Sequence, residues 1–168
     1  MAGLIVLVAL AACQPAESKP AAETRPSFTA SVDPSASVKD ALLTAYRGMW
    51  RDFADAARTA DWNDPELADH ATGDAEAKLR YGLYLASKKG QIVKGEPRLL
   101  RPEITKLERE KAAIADCVDD TGFLVYAKDG KRAKDTAGAG RHLATATLKL
   151  REGSWYVTSY TLKEAGTC

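Results

Sequence analysis

The sequence predicts an α+β fold in which helices come first and an antiparallel sheet follows. Apolar residues recur at intervals of three and four up to Gly90, and beyond it the period shortens to the alternation of strands. Two alternating segments around Glu152-Gly153 are typical of a β-hairpin. With 24 Lys+Arg, 23 Asp+Glu and 45% hydrophobic residues, the 168-residue chain has the composition of a globular protein with one core. Its formal charge of +1 gives no whole-chain attraction to nucleic acid or anionic membranes.

Three helices are predicted in the first half. The first begins at Ser37, a suitable N-cap, and carries an apolar stripe at helical spacing. Pro65 suits the first position of a short helix that ends at His70. A longer helix begins after Thr72-Gly73-Asp74 and ends at Gly90. The stripe of the first helix consists of Val38, Ala41, Leu42, Ala45, Met49, Phe53 and Ala57.

Four or five antiparallel strands are predicted in the second half. The segments Arg141 to Arg151 and Ser154 to Lys163 form the terminal hairpin. Phe123 to Tyr126 is a short strand, and Arg98 to Arg101 is a weaker one. The segment from Glu103 to Val118 fits either a helix or strands. We predict strands, because a helix there would leave the terminal hairpin with too few partners for a stable sheet.

The N-terminus predicts export from the cytoplasm. Leu4 to Ala12 is an uncharged apolar run that is too short to span a bilayer as a helix. The alternative is a buried N-terminal strand or helix, but the run has no neighbouring segment to pack against. Leu10-Ala11-Ala12-Cys13 resembles the lipobox of bacterial lipoproteins, in which the cysteine is lipidated and the preceding peptide is removed. The resemblance implies that residues 1–13 are a lipoprotein signal peptide and lipobox, and that Cys13 carries the anchor. Met1-Ala2-Gly3 departs from this pattern, since a secretory n-region is positively charged.

Residues 14–36 are predicted to form a disordered tether rich in Pro, Ala and Ser. Phe28 and Val32 are its only larger apolar side chains, which is too little apolar surface to offset the entropy of ordering. A linker of this length would hold the folded part, residues 37–168, roughly tens of ångströms from the membrane.

The order of the elements, together with short motifs, is similar to that of a known superfamily. The motifs are Ala45-Tyr46-Arg47-Gly48-Met49-Trp50, Ala71-Thr72-Gly73-Asp74-Ala75, Asp116-Cys117-Val118-Asp119-Asp120, Gly140-Arg141-His142, Gly153-Ser154-Trp155-Tyr156-Val157 and Gly166-Thr167-Cys168. The chain resembles the nuclear transport factor 2-like superfamily, which includes SnoaL-like and ketosteroid-isomerase-like domains. It resembles more closely the small secreted lipoproteins of high-GC Gram-positive bacteria that carry such a domain. This implies a cone-shaped fold with N-terminal helices packed on a curved antiparallel sheet, and says nothing of substrate, because the superfold hosts enzymes and non-enzymes.

The cysteines are consistent with export. Once Cys13 is assigned to lipid, Cys117 and Cys168 remain as an even pair in an oxidising compartment. We therefore expect a disulfide between them, which stabilises the fold by about 4 kcal/mol in the chain-entropy model. Two buried free thiols are the alternative. A reactive thiol is not expected, since neither cysteine lies in a Cys-x-x-Cys motif or at an evident helix N-terminus.

The sequence carries no motif for a cofactor or a metal. Gly138-Ala139-Gly140 lacks the third glycine of a dinucleotide fingerprint, and the acidic segment Asp61 to Asp64 runs into Pro65 where a calcium loop needs further ligands. We interpret His70 and His142 as polar surface residues, because they show no triad spacing. We expect no cofactor, no metal and no nucleic-acid partner, since the basic stretch from Lys128 lacks interleaved aromatics.

Cones of the resembled superfamily enclose a pocket, which only large side chains could shape. The aromatics able to do so are Tyr46, Trp50, Phe53, Tyr81, Tyr84, Phe123, Tyr126 and Trp155. The candidate pocket lining consists of Asp116 and the aromatics in this list other than Tyr81 and Tyr84. Core packing is the alternative for each ring. An isomerase of this superfamily needs a carboxylate base facing an acidic hydrogen-bond donor, and Asp116 with Tyr126 or Tyr46 is the only such pairing we find.

The sequence thus predicts a lipid-anchored extracytoplasmic domain that binds a protein or a small apolar ligand and is not an enzyme. The alternative is a pocket-dependent enzyme, isomerase-like or cyclase-like. We expect Trp50 and Trp155 to be largely buried between helix and sheet. An interior filled by Trp, Phe and Leu favours the binding module, whereas a deep pocket with a desolvated carboxylate near a tyrosine favours the enzyme.

Overall fold

The computed structural model describes residues 34–133 and 139–168. The segment resembling a lipobox up to Cys13, the tether up to residue 33, and Gly138 of the predicted glycine loop lie outside these residues. Within them, no helix combines the length and the apolar character needed to cross a bilayer.

Helix α1 spans Pro34–Ala57 and begins earlier than the sequence suggested. Pro34 suits the first helical position, because its φ is already helical and its missing N–H would have no partner there. The prediction of Ser37 as the N-cap is therefore wrong, since Ser37 lies inside the helix. Leu42, Tyr46 and Met49 are fully buried and define the face of α1 that packs on the sheet.

A short 3₁₀ helix, Pro65–Ala68, and helix α2, Asp74–Lys88, follow α1 as predicted. Asp64 caps the 3₁₀ helix by accepting a hydrogen bond from the Glu66 N–H at 3.0 Å. Ala75, Leu79 and Leu83 are the buried positions of α2, at helical spacing.

Seven antiparallel strands are described after α2, in two sheets. They are β1 (Gln91–Lys94), β2 (Arg98–Leu99), β3 (Glu103–Leu107), β4 (Lys111–Asp119), β5 (Leu124–Ala127), β6 (Arg141–Arg151) and β7 (Ser154–Leu162). The larger sheet has the order β2-β4-β6-β7, and β3 pairs with β4 beside β2. Strands β1 and β5 form a separate two-stranded sheet.

The choice of strands for the segment from Glu103 to Val118 is confirmed by β3 and β4. The terminal hairpin is confirmed as well, with Arg151 opposite Ser154 at the turn. The sequence analysis missed β1, which is short and has no fully buried residue. It also missed a register shift in the hairpin after the Leu148–Val157 pair, which brings Tyr160 opposite the buried Ala146.

The two helices lie on one face of the curved five-stranded sheet, and the core sits between them. Both α1 and α2 pack against β7. On β4 and β6, buried residues alternate with more exposed ones, which places Ala112, Ile114, Ala146 and Leu148 in this core. The α+β fold, with helices on a curved antiparallel sheet, is the one the sequence predicted.

A disulfide joins Cys117 on β4 to the C-terminal residue, Cys168, with a Cα–Cα distance of 5.8 Å. This confirms the predicted pairing and excludes two free thiols. The Thr167 hydroxyl accepts a hydrogen bond from the Leu143 N–H at 2.9 Å, so the C-terminal segment is also held to β6.

Candidate functional site

The space between α1 and the sheet is filled by a cluster of aromatic rings around Trp50. The centroid of the Trp50 ring lies 6.5 Å from Tyr46, 6.4 Å from Phe53 and 5.7 Å from Tyr160. Phe53 in turn contacts Phe123 at 5.7 Å. These distances are those of edge-to-face packing in protein cores. The rings therefore occupy the volume in which a cone-shaped fold would hold a pocket.

Most of the candidate lining residues meet in this cluster, but not all of them. Trp50 and Trp155 are 6% and 8% exposed, so both are buried as expected. Trp155 pairs with Leu150 beside the hairpin turn and takes part in none of the ring contacts of Trp50 in the described chain. Tyr126 lies on β5 in the small sheet, where the Lys94 amine covers its ring at 4.9 Å.

Tyr81 and Tyr84 do not face the interior. Tyr81 is 62% exposed on α2, and Tyr84 is partly exposed and packs edge-on against Trp62 at 5.6 Å. The suggestion that these two tyrosines shape an internal pocket is therefore wrong. Their position follows from the helix period, because the buried stripe of α2 is formed by Ala75, Leu79 and Leu83.

Asp116 is a buried carboxylate that interacts with the aromatic cluster through Tyr46. It lies on β4 and is 3% exposed. One of its oxygens, Oδ1, accepts a hydrogen bond from the Arg101 N–H at 2.7 Å, in the gap between β2 and β3. The other, Oδ2, is buried without a hydrogen-bond partner, as is the Tyr46 hydroxyl, and the Asp116 carboxylate and the Tyr46 phenol are close enough to affect each other's pKa. Of the two pairings the sequence suggested, Asp116 with Tyr46 is the one the fold brings together.

Burial governs the electrostatics of this pair. Desolvation raises the pKa of Asp116, opposed by the hydrogen bond from the Arg101 N–H. Desolvation also raises the pKa of Tyr46 far above its usual value, and the negative charge of Asp116 raises it further. The phenol is therefore neutral at any physiological pH. The Trp50 indole Nε1, the Tyr46 hydroxyl and Asp116 Oδ2 are buried without a hydrogen-bond partner.

Access to this pair is limited. A surface cleft of about 180 Å³ beside the disulfide is lined by Asp116, Arg101 and Cys168, but not by Tyr46 or Trp50. A molecule in this cleft would meet the side of Asp116 that already binds the Arg101 N–H. The arrangement contains the acid and base types an isomerase needs, yet it does not present them together to a ligand.

His142 and His70 were both interpreted as polar surface residues, which is wrong for the buried His142, whereas His70 is half-buried at a surface cleft. His142 is 6% exposed, its Nδ1 lies 2.7 Å from the Lys163 carbonyl, and its Nε2 lies 3.3 Å from Asp120. It therefore holds the segment after β7 against the loop after β4. His70 is half-buried, and its Nδ1 lies 2.7 Å from Asp52 Oδ2.

The His70–Asp52 pair is a feature that sequence reasoning missed. Gly48 could have revealed it, because a glycine in the middle of a helix costs stability and often marks a close approach. A Cβ atom on Gly48 would clash with the His70 ring, so the imidazole packs directly on the backbone of α1. Desolvation raises the pKa of Asp52, while the hydrogen bond with His70 opposes the rise.

No group of three His, Cys, Asp or Glu side chains converges as metal ligands in residues 34–133 and 139–168. No protein-family model matches the chain, and no curated protein matches its sequence. Solved structures do match its fold.

A protein from Novosphingobium aromaticivorans, for which aromatic ring hydroxylase activity has been proposed, matches with a TM-score of 0.53 and 18% identity over 76% of this chain and 90% of that one. A protein of unknown function from Mycobacterium tuberculosis matches with a TM-score of 0.53 and 14% identity, over 80% of this chain and 77% of that one. An NTF2-like protein from Cytophaga hutchinsonii matches with a TM-score of 0.50 and 12% identity, over 75% of this chain and 97% of that one.

At these identities, the likenesses concern the fold alone. Together with the helices packed on a curved antiparallel sheet, they show that the chain has a nuclear transport factor 2-like fold. The fold-level expectation of the sequence analysis is thereby confirmed.

Proposed function

We propose that this chain is a lipid-anchored extracytoplasmic protein whose NTF2-like domain binds a partner or a small ligand at its surface and does not catalyse a reaction. The observation that carries the proposal is the aromatic cluster around Trp50, which fills the interior between α1 and the sheet. An enzyme of the cone type needs that volume for its substrate.

The environment of Asp116 supports a structural role for this carboxylate. Its Oδ1 satisfies the Arg101 N–H at the point where β2 and β3 leave a gap along β4. This hydrogen bond gives the Arg101 N–H a partner where no strand pairing supplies one, which accounts for a carboxylate at this position. The rings of the cluster pack against one another, and we therefore propose that a ligand binds at the surface rather than inside the cluster.

Anchoring rests on the sequence. The apolar run Leu4 to Ala12 ends in small residues before Cys13, and lipidation of that cysteine would hold the domain at the outer face of the cell membrane. The disulfide between Cys117 and Cys168 supports export, because such bonds persist in oxidising compartments and are rare in the cytosol.

The alternative function, a pocket-dependent isomerase or cyclase, is favoured by one observation. Asp116 and Tyr46 are a desolvated carboxylate and a neutral phenol in mutual proximity. For these groups to act on a substrate, the aromatic cluster would have to open and admit it.

The interior is tested by indole binding, followed by NMR. We expect wild-type protein to show no shifts at Tyr46, Phe53 or Tyr160, because their neighbour Trp50 fills the space. The Trp50→Ala variant should bind indole in the cavity it creates, as engineered apolar cavities do. Saturable binding of indole inside the wild-type cluster would overturn the filled interior and favour the enzyme.

Anchoring is tested by cell fractionation of the full chain. Cys13→Ser should move the protein from the membrane fraction to the medium or leave it unprocessed. Ser18→Ala is the control, because Ser18 lies outside both the lipobox and the disulfide, and it should leave membrane retention unchanged. Normal processing and membrane retention of Cys13→Ser would contradict the anchor.

A further inference from the structure

The His70–Asp52 pair lies at the edge of a surface cleft that the proposed function has not used. Backbone hydrogen bonds place His70 there: the Val157 N–H donates to the His70 carbonyl and the Thr72 N–H donates to the Val157 carbonyl, both at 2.9 Å. The segment before α2 is thus fastened alongside β7. With its ring against Gly48 and its Nδ1 2.7 Å from Asp52, the imidazole has a fixed orientation.

The contact with Asp52 determines what His70 can offer a ligand. The side chain of Asp52 is only 12% exposed, and because a carboxylate can only accept, the hydrogen of its 2.7 Å contact with His70 belongs on Nδ1. In the neutral form of such an imidazole the lone pair lies on Nε2, as in the histidines of catalytic triads. Within the described part of the chain, Nε2 makes no hydrogen bond. His70 therefore presents a hydrogen-bond acceptor.

The cleft has a volume of about 320 Å³, which suits a small molecule. It lies between the first half of α1 and the β6–β7 turn. The polar side chains that line it, besides His70, are Thr44, Asp69, Ser154 and Tyr156. Three of these are hydroxyls, which donate and accept, and the fourth is a carboxylate, which only accepts. The rest of the lining is small or aromatic.

These groups select a class of ligand by their hydrogen-bonding and charge. The imidazole Nε2 and the Asp69 carboxylate both accept, so a ligand must bring several donors. Among residues 34–133 and 139–168, no Lys or Arg lines the cleft, and Asp69 disfavours an anion. Tyr156 adds an aromatic surface of the kind on which the apolar face of a sugar ring can pack. A ring that bears many hydroxyls and no negative charge meets all of these conditions.

We propose that this cleft binds a sugar, neutral or amino-substituted, with His70 accepting a ligand hydroxyl through Nε2 and Asp52 holding the imidazole in the required tautomer. The inference rests on the proposed function, because it names the ligand class and the surface site of the binding module. It is independent of the Asp116–Tyr46 pair.

The test is an NMR titration of the folded full chain with methyl β-D-glucopyranoside, D-glucosamine and D-glucuronate. We expect saturable shifts at His70 and Ser154 with the first two, at a dissociation constant of about 1–5 mM, typical of a ligand with about a dozen non-hydrogen atoms. The anionic D-glucuronate should bind at least about fivefold more weakly, because of the charge of Asp69. Shifts confined to other surfaces, or none at all up to 50 mM, would overturn the inference.

Variants separate the roles of the residues. Asp52→Asn should change the imidazole tautomer, seen in the ¹⁵N shifts of His70, and weaken glucoside binding about tenfold. Ser154→Ala should also weaken binding, whereas Ser159→Ala, in a different cleft, should not. An altered tautomer with unchanged affinity would contradict the role of Asp52. If the sugars fail to bind while the fractionation and indole experiments give the expected results, the sugar site alone is overturned. If the sugars bind but the fractionation experiment shows that the protein is not anchored through Cys13, the proposed function alone is overturned.

Discussion

Replacing Trp50 by alanine tests the filled interior through stability. Trp50 is 6% exposed and contacts three aromatic rings, so its truncation removes a large buried group. Deleting a buried Phe or Trp side chain typically costs about 3–5 kcal/mol. The indole Nε1 is buried without a partner, and removing such a group recovers about 1–3 kcal/mol. The midpoints of these two ranges give an expected net loss of about 2 kcal/mol for Trp50→Ala.

The assay is equilibrium unfolding in urea with the disulfide intact, supported by thermal melting. Trp155→Ala is the comparison, because Trp155 is equally buried and its indole nitrogen is not among the unpartnered buried atoms. It should lose the full amount of about 3–5 kcal/mol. Trp50→Phe is the conservative control, which keeps an aromatic ring and removes the unpartnered N–H, and it should remain within about 1 kcal/mol of wild type.

The refuting result is specific. Wild-type stability for Trp50→Ala would mean that the indole lines an open space and has few contacts to lose. Wild-type stability for Trp155→Ala would contradict the placement of the inward face of β7.

Three further changes test other features of the fold. Cys117→Ala should lower the free energy of unfolding by about 4 kcal/mol, since the disulfide closes a loop with a sequence separation of 51. In non-reducing mass spectrometry, the intact protein should be two protons lighter than its dithiol form. Two titratable thiols in the exported protein would refute the bond. Asp116→Asn should be at least as stable as wild type at pH 7, because burial raises the folded-state pKa of Asp116 and its ionised form is penalised. The advantage of Asp116→Asn in unfolding free energy, measured by urea unfolding at a series of pH values, should shrink as the pH falls through the folded-state pKa towards about 4. A difference between variant and wild type that widens in acid would contradict this. Gly48→Ala should lower the free energy of unfolding by about 1–3 kcal/mol, because its Cβ clashes with the imidazole of His70. Adding His70→Ala to the same chain should recover most of this loss. Additive effects of the two substitutions in the double-mutant cycle would rule out the contact.

The secondary structure could be predicted from local pattern, with identifiable exceptions. Periodicity located α2 and the terminal hairpin, because buried residues recur every three or four positions in a helix and every two in a strand. Strands β3 and β4 needed a non-local argument, the requirement of the hairpin for partners. Strand β1 was missed because its four residues carry no buried alternation to detect.

The candidate site was predictable only in part. Tyr46 and Asp116 were suggested by residue type, but only the packing of α1 over the sheet determines that they meet and that Tyr126 lies elsewhere. Trp155 and Val157 are buried on one face of β7, and strict alternation would continue that face at residue 159. The register shift places Tyr160 there instead, opposite Ala146.

The sequence by itself determined the fold class, most of the elements and the disulfide, because each follows from local periodicity, from turn residues or from counting cysteines. Only the tertiary structure decided that aromatic rings meet between α1 and the sheet, and that His70 contacts Asp52. The physical reason is that such contacts join residues on different elements, and their distances depend on helix placement and strand register. Neither quantity is encoded in any short stretch of the chain.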